Sequence, residues 1–182
     1  MEPPEYGLPW ITNQGGTEIR LRRLAPNDLA AFQRYRTDES LARYQGWKVE
    51  SDAWATDFLE AMHKRRLFYL WHWFQLGICT PAGLVGDVGI LVKEAEAEIG
   101  YTLSGEHHGK GIATTAVQLA LYYIFAVSPA WRVLARTHPD NTPSIRLLER
   151  VGFALESAPT GNETSDNELV YAMPRSAFTF EP

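Results

Sequence analysis

The chain has 182 residues, of which 45% are hydrophobic and 21% are charged, a balance typical of one globular domain and not of a disordered or collagen-like chain. Seventeen basic against 22 acidic residues give a net charge of −5, which argues against a nucleic-acid-binding module, because such modules usually carry a basic patch. The longest apolar run, Leu119–Val127, is far shorter than the roughly 20 residues of a membrane span.

The N-terminal segment contains no basic stretch followed by an apolar run, so it does not resemble a signal peptide. We therefore expect a cytoplasmic protein that has no membrane partner. Residues 1–16 are rich in Pro and Gly and predict an irregular arm, and residues 17–182 predict one domain. The lone Cys79 has no partner for an internal disulfide and is expected to be a small buried hydrophobic residue.

The first half of the domain predicts a strand, two helices and a buried strand. Glu18–Leu24 alternates apolar and charged residues, Pro26 suits the start of a helix, and Ser51 suits the N-cap of a second helix. Leu67–Ile78 is apolar on both alternating faces, which is typical of a strand in the centre of a sheet. Core packing is the expected role of most aromatic residues nearby, namely Trp47, Trp54, Tyr69, Trp71 and Trp73.

The second half predicts strands that alternate with two helices, and hence an α+β fold. The predicted strands are Leu84–Val92, Ala97–Ser104, Trp131–Thr137, Phe153–Leu155 and Glu168–Met173. The first helix spans Gly111–Val127; the second is capped by Thr142, has Pro143 in its first position and ends at Gly152. A polar loop is expected at Pro159–Asn167.

The loop between the predicted strand Ala97–Ser104 and the predicted helix Gly111–Val127 has the composition of an anion site. Gly109, Lys110 and Gly111 precede a long amphipathic helix, and exposed N–H groups at a helix start attract phosphate oxygens. The spacing fits neither a Walker A loop nor a dinucleotide fingerprint, whose third glycine would fall at Thr114. On spacing alone, a loop that merely turns the chain into a helix is an equal alternative.

Two motifs together resemble the GCN5-related N-acetyltransferase superfamily, in the branch of the ribosomal-protein alanine acetyltransferases. The family's diphosphate loop, Gln/Arg-x-x-Gly-x-Gly/Ala, matches His108 to Ala113, with His in place of Gln or Arg. The branch's later signature, Asn-x-x-Ser followed by Leu-Glu-Lys-x-Gly-Phe, matches Asn141 to Ser144 and Leu148 to Phe153. The resemblance extends in element order from Glu18 to about Phe178.

The resemblance implies a single-domain acyl-CoA N-acyltransferase fold. Its sheet is mixed, mostly antiparallel and of about seven strands, with helices on both faces. Two central parallel strands splay apart, here Ala97–Ser104 and Trp131–Thr137, and acetyl-CoA enters the wedge between them.

The same resemblance implies the residues that bind acetyl-CoA. Backbone groups of Tyr101, Thr102 and Leu103 would pair with the pantetheine arm, and one N–H would polarise the thioester carbonyl. The diphosphate would lie on the loop and helix start, at His108, Gly109, Lys110, Gly111, Ile112, Ala113 and Thr114. Asn141 would bond the pantetheine arm; the alternative is that it only caps the next helix.

The implied reaction is transfer of the acetyl group to a primary amine by direct attack in a ternary complex. Leu148 stands where many members have Tyr, so Ser144, or else water, would donate to the departing thiolate. Glu98 is the candidate base, acting through water. Two alternatives stay open for the base. Glu98 belongs with Glu94 and Glu96 to an exposed edge-strand charge run, or proximity alone accelerates the reaction.

The missing Tyr and the replaced Gln/Arg also leave a second function open, an acyl-CoA-binding or sensing module without turnover. No metal is expected, since His107 and His108 are adjacent and have no partners at zinc spacing. The amine acceptor and the choice between monomer and homodimer stay undetermined by the sequence, although the net negative charge favours a cationic acceptor.

Overall fold

The computed structural model describes residues 9–45, 50–158 and 168–180. Its strands are β1 (Ile11–Thr12), β2 (Glu18–Arg23), β3 (Phe74–Thr80), β4 (Gly83–Val92), β5 (Glu96–Leu103), β6 (Arg132–Thr137), β7 (Ala154–Ser157) and β8 (Leu169–Pro174). Its helices are α1 (Leu29–Arg36), α2 (Glu39–Ala42), α3 (Asp52–Lys64), α4 (Ile112–Val127) and α5 (Thr142–Val151), with single 3-10 turns at Pro26–Asp28, Gly105–His107 and Arg175–Ala177. The predicted α+β class is confirmed.

The strands form one open sheet in the order β1-β2-β3-β4-β5-β6-β8-β7. Neighbours are antiparallel except for β5 and β6, which run parallel. The expected count of about seven strands becomes eight because Ile11–Thr12 pairs with β2. That short strand lies in the segment expected to be irregular.

The pairing of β5 with β6 stops partway along both strands. The ladder runs from Glu96–Arg132 to Ile99–Ala135, while β5 continues to Leu103 and β6 to Thr137. Because β4 stays paired with β5 as far as Leu103, the second half of β5 has a described partner strand on one side only. This is the splayed central pair that the family resemblance implied.

Helices cover both faces of the sheet, as expected. One core cluster joins the sheet to α4 and α5 and includes Ile99, Leu119 and Leu148. A second, smaller cluster on the other face joins α1 and α3 to the sheet around Cys79. The free Cys79 thiol is buried there, and the prediction of a small hydrophobic residue is confirmed.

A buried ion pair fastens α1 to β4. Asp87 is 2% exposed, and its carboxylate lies 3.0 Å from Arg36 Nη2 and accepts a hydrogen bond from Tyr35 Oη at 2.6 Å. Burial raises the pKa of Tyr35 well above its usual value, and the neighbouring Asp87 charge adds a smaller effect in the same direction. The pair therefore sets how α1 lies over the middle of the sheet.

The helix ends follow the sequence signals with one correction. Ser51 caps α3, since its Oγ accepts the Trp54 N–H at 3.2 Å, and Gly152 ends α5 with φ of 103°. The prediction that Thr142 caps α5 is wrong. Asn141 is the N-cap, because its side-chain oxygen accepts the Ser144 N–H at 3.3 Å, and Pro143 moves to the second helical position.

The prediction of a long buried strand at Leu67–Ile78 is wrong in its first half. The strand begins at Phe74, the first residue that pairs with β4, and residues 67–73 form turns. Phe68 and Trp71 have positive φ of 56° and 65°, which no strand accommodates. The expected core placement is also wrong for four of the aromatic residues, which are 42–60% exposed: Trp54, Tyr69, Trp71 and Trp73.

Two sequence expectations, the role of Trp47 and the loop at Pro159–Asn167, fall on residues outside the described ranges. Among the helices that are described, none has the length and apolar character that crossing a bilayer requires.

Candidate functional site

The unpaired half of β5 directs backbone groups into the gap beside β6. In an antiparallel pair, alternate residues bond the same neighbour, and Ser104, just after β5, donates its N–H to Val85 O of β4 at 2.9 Å. Even-numbered β5 residues therefore bond β4, and odd-numbered ones face β6. Beyond Ile99 no β6 residue pairs with them, so the N–H and C=O groups of Tyr101 and Leu103 face the gap.

Side chains already bond both of the carbonyls at this gap. Gln45 donates its amide N–H to Tyr101 O at 2.9 Å, and His108 Nε2 lies 2.9 Å from Leu103 O. The gap-facing N–H groups of the two strand residues have no such side-chain partner within the described parts of the chain. This edge therefore has two donors for an extended ligand, and its two acceptors are shared with side chains.

The loop after β5 presents a row of backbone amides. Gly109 and Gly111 both have φ of 74°, a conformation in which an L side chain is strained. No side chain caps α4, and from Gly109 to Thr114 no amide N–H donates to any group in residues 9–45, 50–158 or 168–180. These amides lie at the positive end of a 16-residue helix, and the arrangement suits a phosphate.

Contacts with neighbouring segments hold this loop in place. Asn13, in the turn after β1, donates its amide N–H to Lys110 O at 2.8 Å. Lys110 Nζ donates to Glu106 O at 2.9 Å, and its charge together with burial lowers the pKa of His107, burial being the larger cause. The ammonium group of Lys110 thus lies beside the amide row, and no carboxylate of the described residues is bonded to it.

The start of α5 meets β5 across the gap. Ser144 Oγ lies 2.8 Å from Tyr101 Oη, and burial raises the pKa of the Tyr101 phenol to about 12. Asn141 uses its Oδ1 as the helix cap, which is the alternative that the sequence left open; its side-chain N–H groups remain available to donate. Leu148, one turn after Ser144, is fully buried and offers no hydroxyl.

A cavity of about 650 Å³ joins these features. Its lining is Ser40, Leu41, Tyr44, Gln45, Tyr101, Thr102, Leu103, His107, His108, Gly109, Gly111, Ile112, Ala113, Thr114, Asn141, Pro143, Ser144, Leu147 and Arg150. Every residue predicted from the sequence to bind acetyl-CoA is among them except Lys110. Of the two predicted catalytic residues, Ser144 lines the cavity and Glu98 does not.

Glu98 lies on the opposite face of β5 from the Tyr101 side chain. Its carboxylate is 18% exposed and bridges two cations, Lys93 Nζ at 3.4 Å and Arg136 Nε at 3.6 Å. The alternative of an edge-strand charge run is wrong, because β5 is an interior strand flanked by β4 and β6. Glu96, its neighbour on that face, forms its own ion pair with Arg132 at 2.7 Å.

The segment after α2 was missed in the sequence. Tyr44 and Gln45 line the cavity, and the Tyr44 ring stacks on the ring of His138, beyond the end of β6, at 5.6 Å. With the bond from Gln45 to β5, this segment connects both splayed strands. No local pattern marks it, since a Tyr-Gln pair after a four-residue helix is not a motif.

The described residues contain no group of three or more His, Cys, Asp or Glu side chains placed to hold a metal ion. Of the adjacent pair considered in the sequence, His108 turns its ring to the carbonyl of Leu103.

Comparison with known proteins agrees with the geometry. Residues 18–154 match the family model of the acetyltransferase (GNAT) domain. The uncharacterized N-acetyltransferase p20 of Bacillus licheniformis is 28% identical over 156 residues, which are 84% of this chain and 88% of that protein.

Solved structures share the fold at lower identity. RimJ of Mycobacterium smegmatis, in complex with CoA-disulfide, superposes with a TM-score of 0.75 at 23% identity, covering 97% of this chain and 91% of that one. The microcin C7 self-immunity acetyltransferase MccE, in complex with acetyl-CoA and AMP, has a TM-score of 0.74 at 21% identity, and the match covers 90% of this chain and 94% of that one.

Proposed function

The chain belongs to the acetyltransferase (GNAT) family of acetyl-CoA-dependent acyltransferases, and we propose that it transfers the acetyl group of acetyl-CoA to a primary amine by direct attack in a ternary complex. The acceptor is the N-terminus of a protein or a small-molecule amine. The donor would lie in the cavity between β5 and β6.

One observation carries the proposal. A row of amides from Gly109 to Thr114, without acceptors among the described residues, lies beside the ammonium group of Lys110 and opens onto the splayed strands. Charge-assisted hydrogen bonds to a diphosphate would satisfy these donors. Arg150, which also lines the cavity, adds a second cation.

The pantetheine arm would extend β5 as an added strand. The gap-facing N–H groups of Tyr101 and Leu103 are its donors, and one of them polarises the thioester carbonyl as the amine attacks. The arm's own N–H would take the Tyr101 carbonyl in place of Gln45. Asn141 donates to the arm from its free amide N–H while its oxygen caps α5.

In the reaction, the neutral amine attacks the carbonyl carbon, a C–N bond forms and the C–S bond breaks. The proton lost by the amine passes to Glu98 through water, and Ser144 donates a hydrogen bond to the departing thiolate. The Glu98 carboxylate shares its face of β5 with Gly100, so the amine approaches from the α1 side.

The test is release of the coenzyme A thiol with a panel of amines, namely a polyamine, an aminoglycoside and short peptides with free N-termini. We expect turnover with at least one of them, and losses of about tenfold or more in kcat for both Glu98→Gln and Ser144→Ala. Full activity in either variant removes that residue from the mechanism. Tight coenzyme A binding without turnover on any amine refutes the proposed acetyl transfer. It supports the alternative function of an acyl-CoA-sensing module, which the buried Leu148 and the ion-paired Glu98 favour.

A further inference from the structure

The side chain of Tyr101 makes a contact that the binding role of its backbone does not explain. Tyr101 lies two residues beyond Ile99, the last β5 residue paired with β6, and its ring packs against the core cluster on the α4 and α5 face. From there the phenol crosses the gap and ends 2.8 Å from Ser144 Oγ. Both hydroxyls belong to residues that line the acetyl-CoA cavity.

We infer that Tyr101 is a positioning residue for the leaving group: its phenol holds Ser144 Oγ in place and donates to it, so that the serine hydrogen is directed at the departing sulfur. The inference rests on the proposed function of Ser144. A hydroxyl that accepts one hydrogen bond becomes a stronger donor of its own, so the chain runs from Tyr101 Oη–H to Ser144 Oγ–H to the thiolate.

The environment keeps the phenol protonated, so that it has a hydrogen to donate. Burial raises its pKa to about 12, so the phenol stays protonated throughout the physiological range and does not itself lose a proton in the cycle. No covalent bond to Tyr101 or Ser144 forms or breaks. The negative charge that develops on sulfur is stabilised by the ordered pair of hydroxyls.

The position of Leu148 explains why two elements share this task. A hydroxyl on the inner face of α5 one turn later is absent, because Leu148 is fully packed into the core. Ser144 lies in the first turn of α5, and a lone serine hydroxyl rotates freely about its own bond. The phenol from β5 supplies the restraint from across the gap.

The first measurement needs no acceptor. Coenzyme A is bound to the folded chain, and the pKa of its thiol is followed by thiolate absorbance. We expect Tyr101→Phe and Ser144→Ala each to lower the thiolate fraction about fivefold, which raises the thiol pKa by about 0.7. The double variant should be no worse than Ser144→Ala alone. Tyr123→Phe is the matched control, because this buried tyrosine of α4 lies outside the cavity lining.

The second measurement is the single-turnover rate of acetyl transfer with an accepted amine. Tyr101→Phe should slow this step about fivefold to tenfold and leave the KM for acetyl-CoA within about twofold, and thermal unfolding identifies a variant that has lost its fold. A thiol pKa and a rate that match wild type in Tyr101→Phe, while Ser144→Ala alters both, overturn the inference. An unaltered Ser144→Ala refutes the proposed role of Ser144 as well. If the thiol pKa depends on Tyr101 but no amine is acetylated, the inference about Tyr101 is upheld and the proposed acetyl transfer is refuted.

Discussion

Replacing Gly111 with Ala tests the diphosphate loop most directly. Gly111 has φ of 74°, and an added Cβ would lie 3.2 Å from Asn13 Nδ2. Holding an L residue in this conformation costs about 1–2 kcal/mol, and the side chain of Asn13, which bonds Lys110 O, must also move. The loop relieves the strain by rotating towards negative φ, which turns the amides before α4 away from their present direction.

The expected magnitude follows from the bonds that are lost. One charge-assisted hydrogen bond to a phosphate contributes about 1.5–3 kcal/mol, so losing one raises the Kd for coenzyme A roughly 10- to 100-fold, as measured by calorimetry. Gly83→Ala is the matched control. It has φ of 123° with no atom within 4 Å of the added Cβ, and it is the first residue of β4, outside the cavity lining, so it should lower stability similarly and leave the Kd unchanged. A folded Gly111→Ala variant with wild-type affinity refutes the assignment of the loop.

Two further predictions concern the α1 face of the sheet. A Cβ added at Gly100 meets no atom within 4 Å, so Gly100→Ala should fold normally and raise the KM for the amine severalfold without changing that for acetyl-CoA; unchanged KM values for both would place the acceptor elsewhere. Asp87→Ala removes the acceptor that Arg36 and Tyr35 share, and it should lower the free energy of unfolding by about 3–5 kcal/mol in chemical denaturation. A loss below about 1 kcal/mol would mean that the buried pair contributes little.

The sequence predicted the parts of the fold that depend on local patterns. The boundaries of α4 follow from an apolar helical stripe between Gly111 and Pro129, and those of α5 from one between Pro143 and Gly152. These signals lie within a few residues of the helix ends. The strand predicted at Leu67–Ile78 is too long, because the alternation of side chains along the sequence does not show where pairing with a neighbouring strand begins. The ladder with β4 begins at Phe74, and the aromatic residues before it are exposed although their types are common in cores.

The residues of the candidate site also fall into two groups, those that local motifs reveal and those that only the tertiary structure brings together. The amide row and the first turn of α5 are contiguous segments, so their residues could be named from motifs. Gln45 and the phenol of Tyr101 act across sequence separations of 56 and 43 residues, and only the tertiary structure brings such pairs together. Asp87 carried a signal that could have been used, since a carboxylate within an otherwise apolar strand requires a buried partner.

The bond from Gln45 to the Tyr101 carbonyl connects coenzyme binding to the acceptor side. If pantetheine pairs with β5 as proposed, its N–H must displace this amide, and one hydrogen bond replaces another at the same carbonyl. Because an exposed neutral hydrogen bond contributes only about 1 kcal/mol, the displacement costs little affinity. Its consequence is positional: once Gln45 leaves, the stacking of Tyr44 on His138 is the contact that still holds this segment, as far as the described residues show. Binding of the donor would thus loosen Tyr44 and Gln45, two residues that line the same cavity.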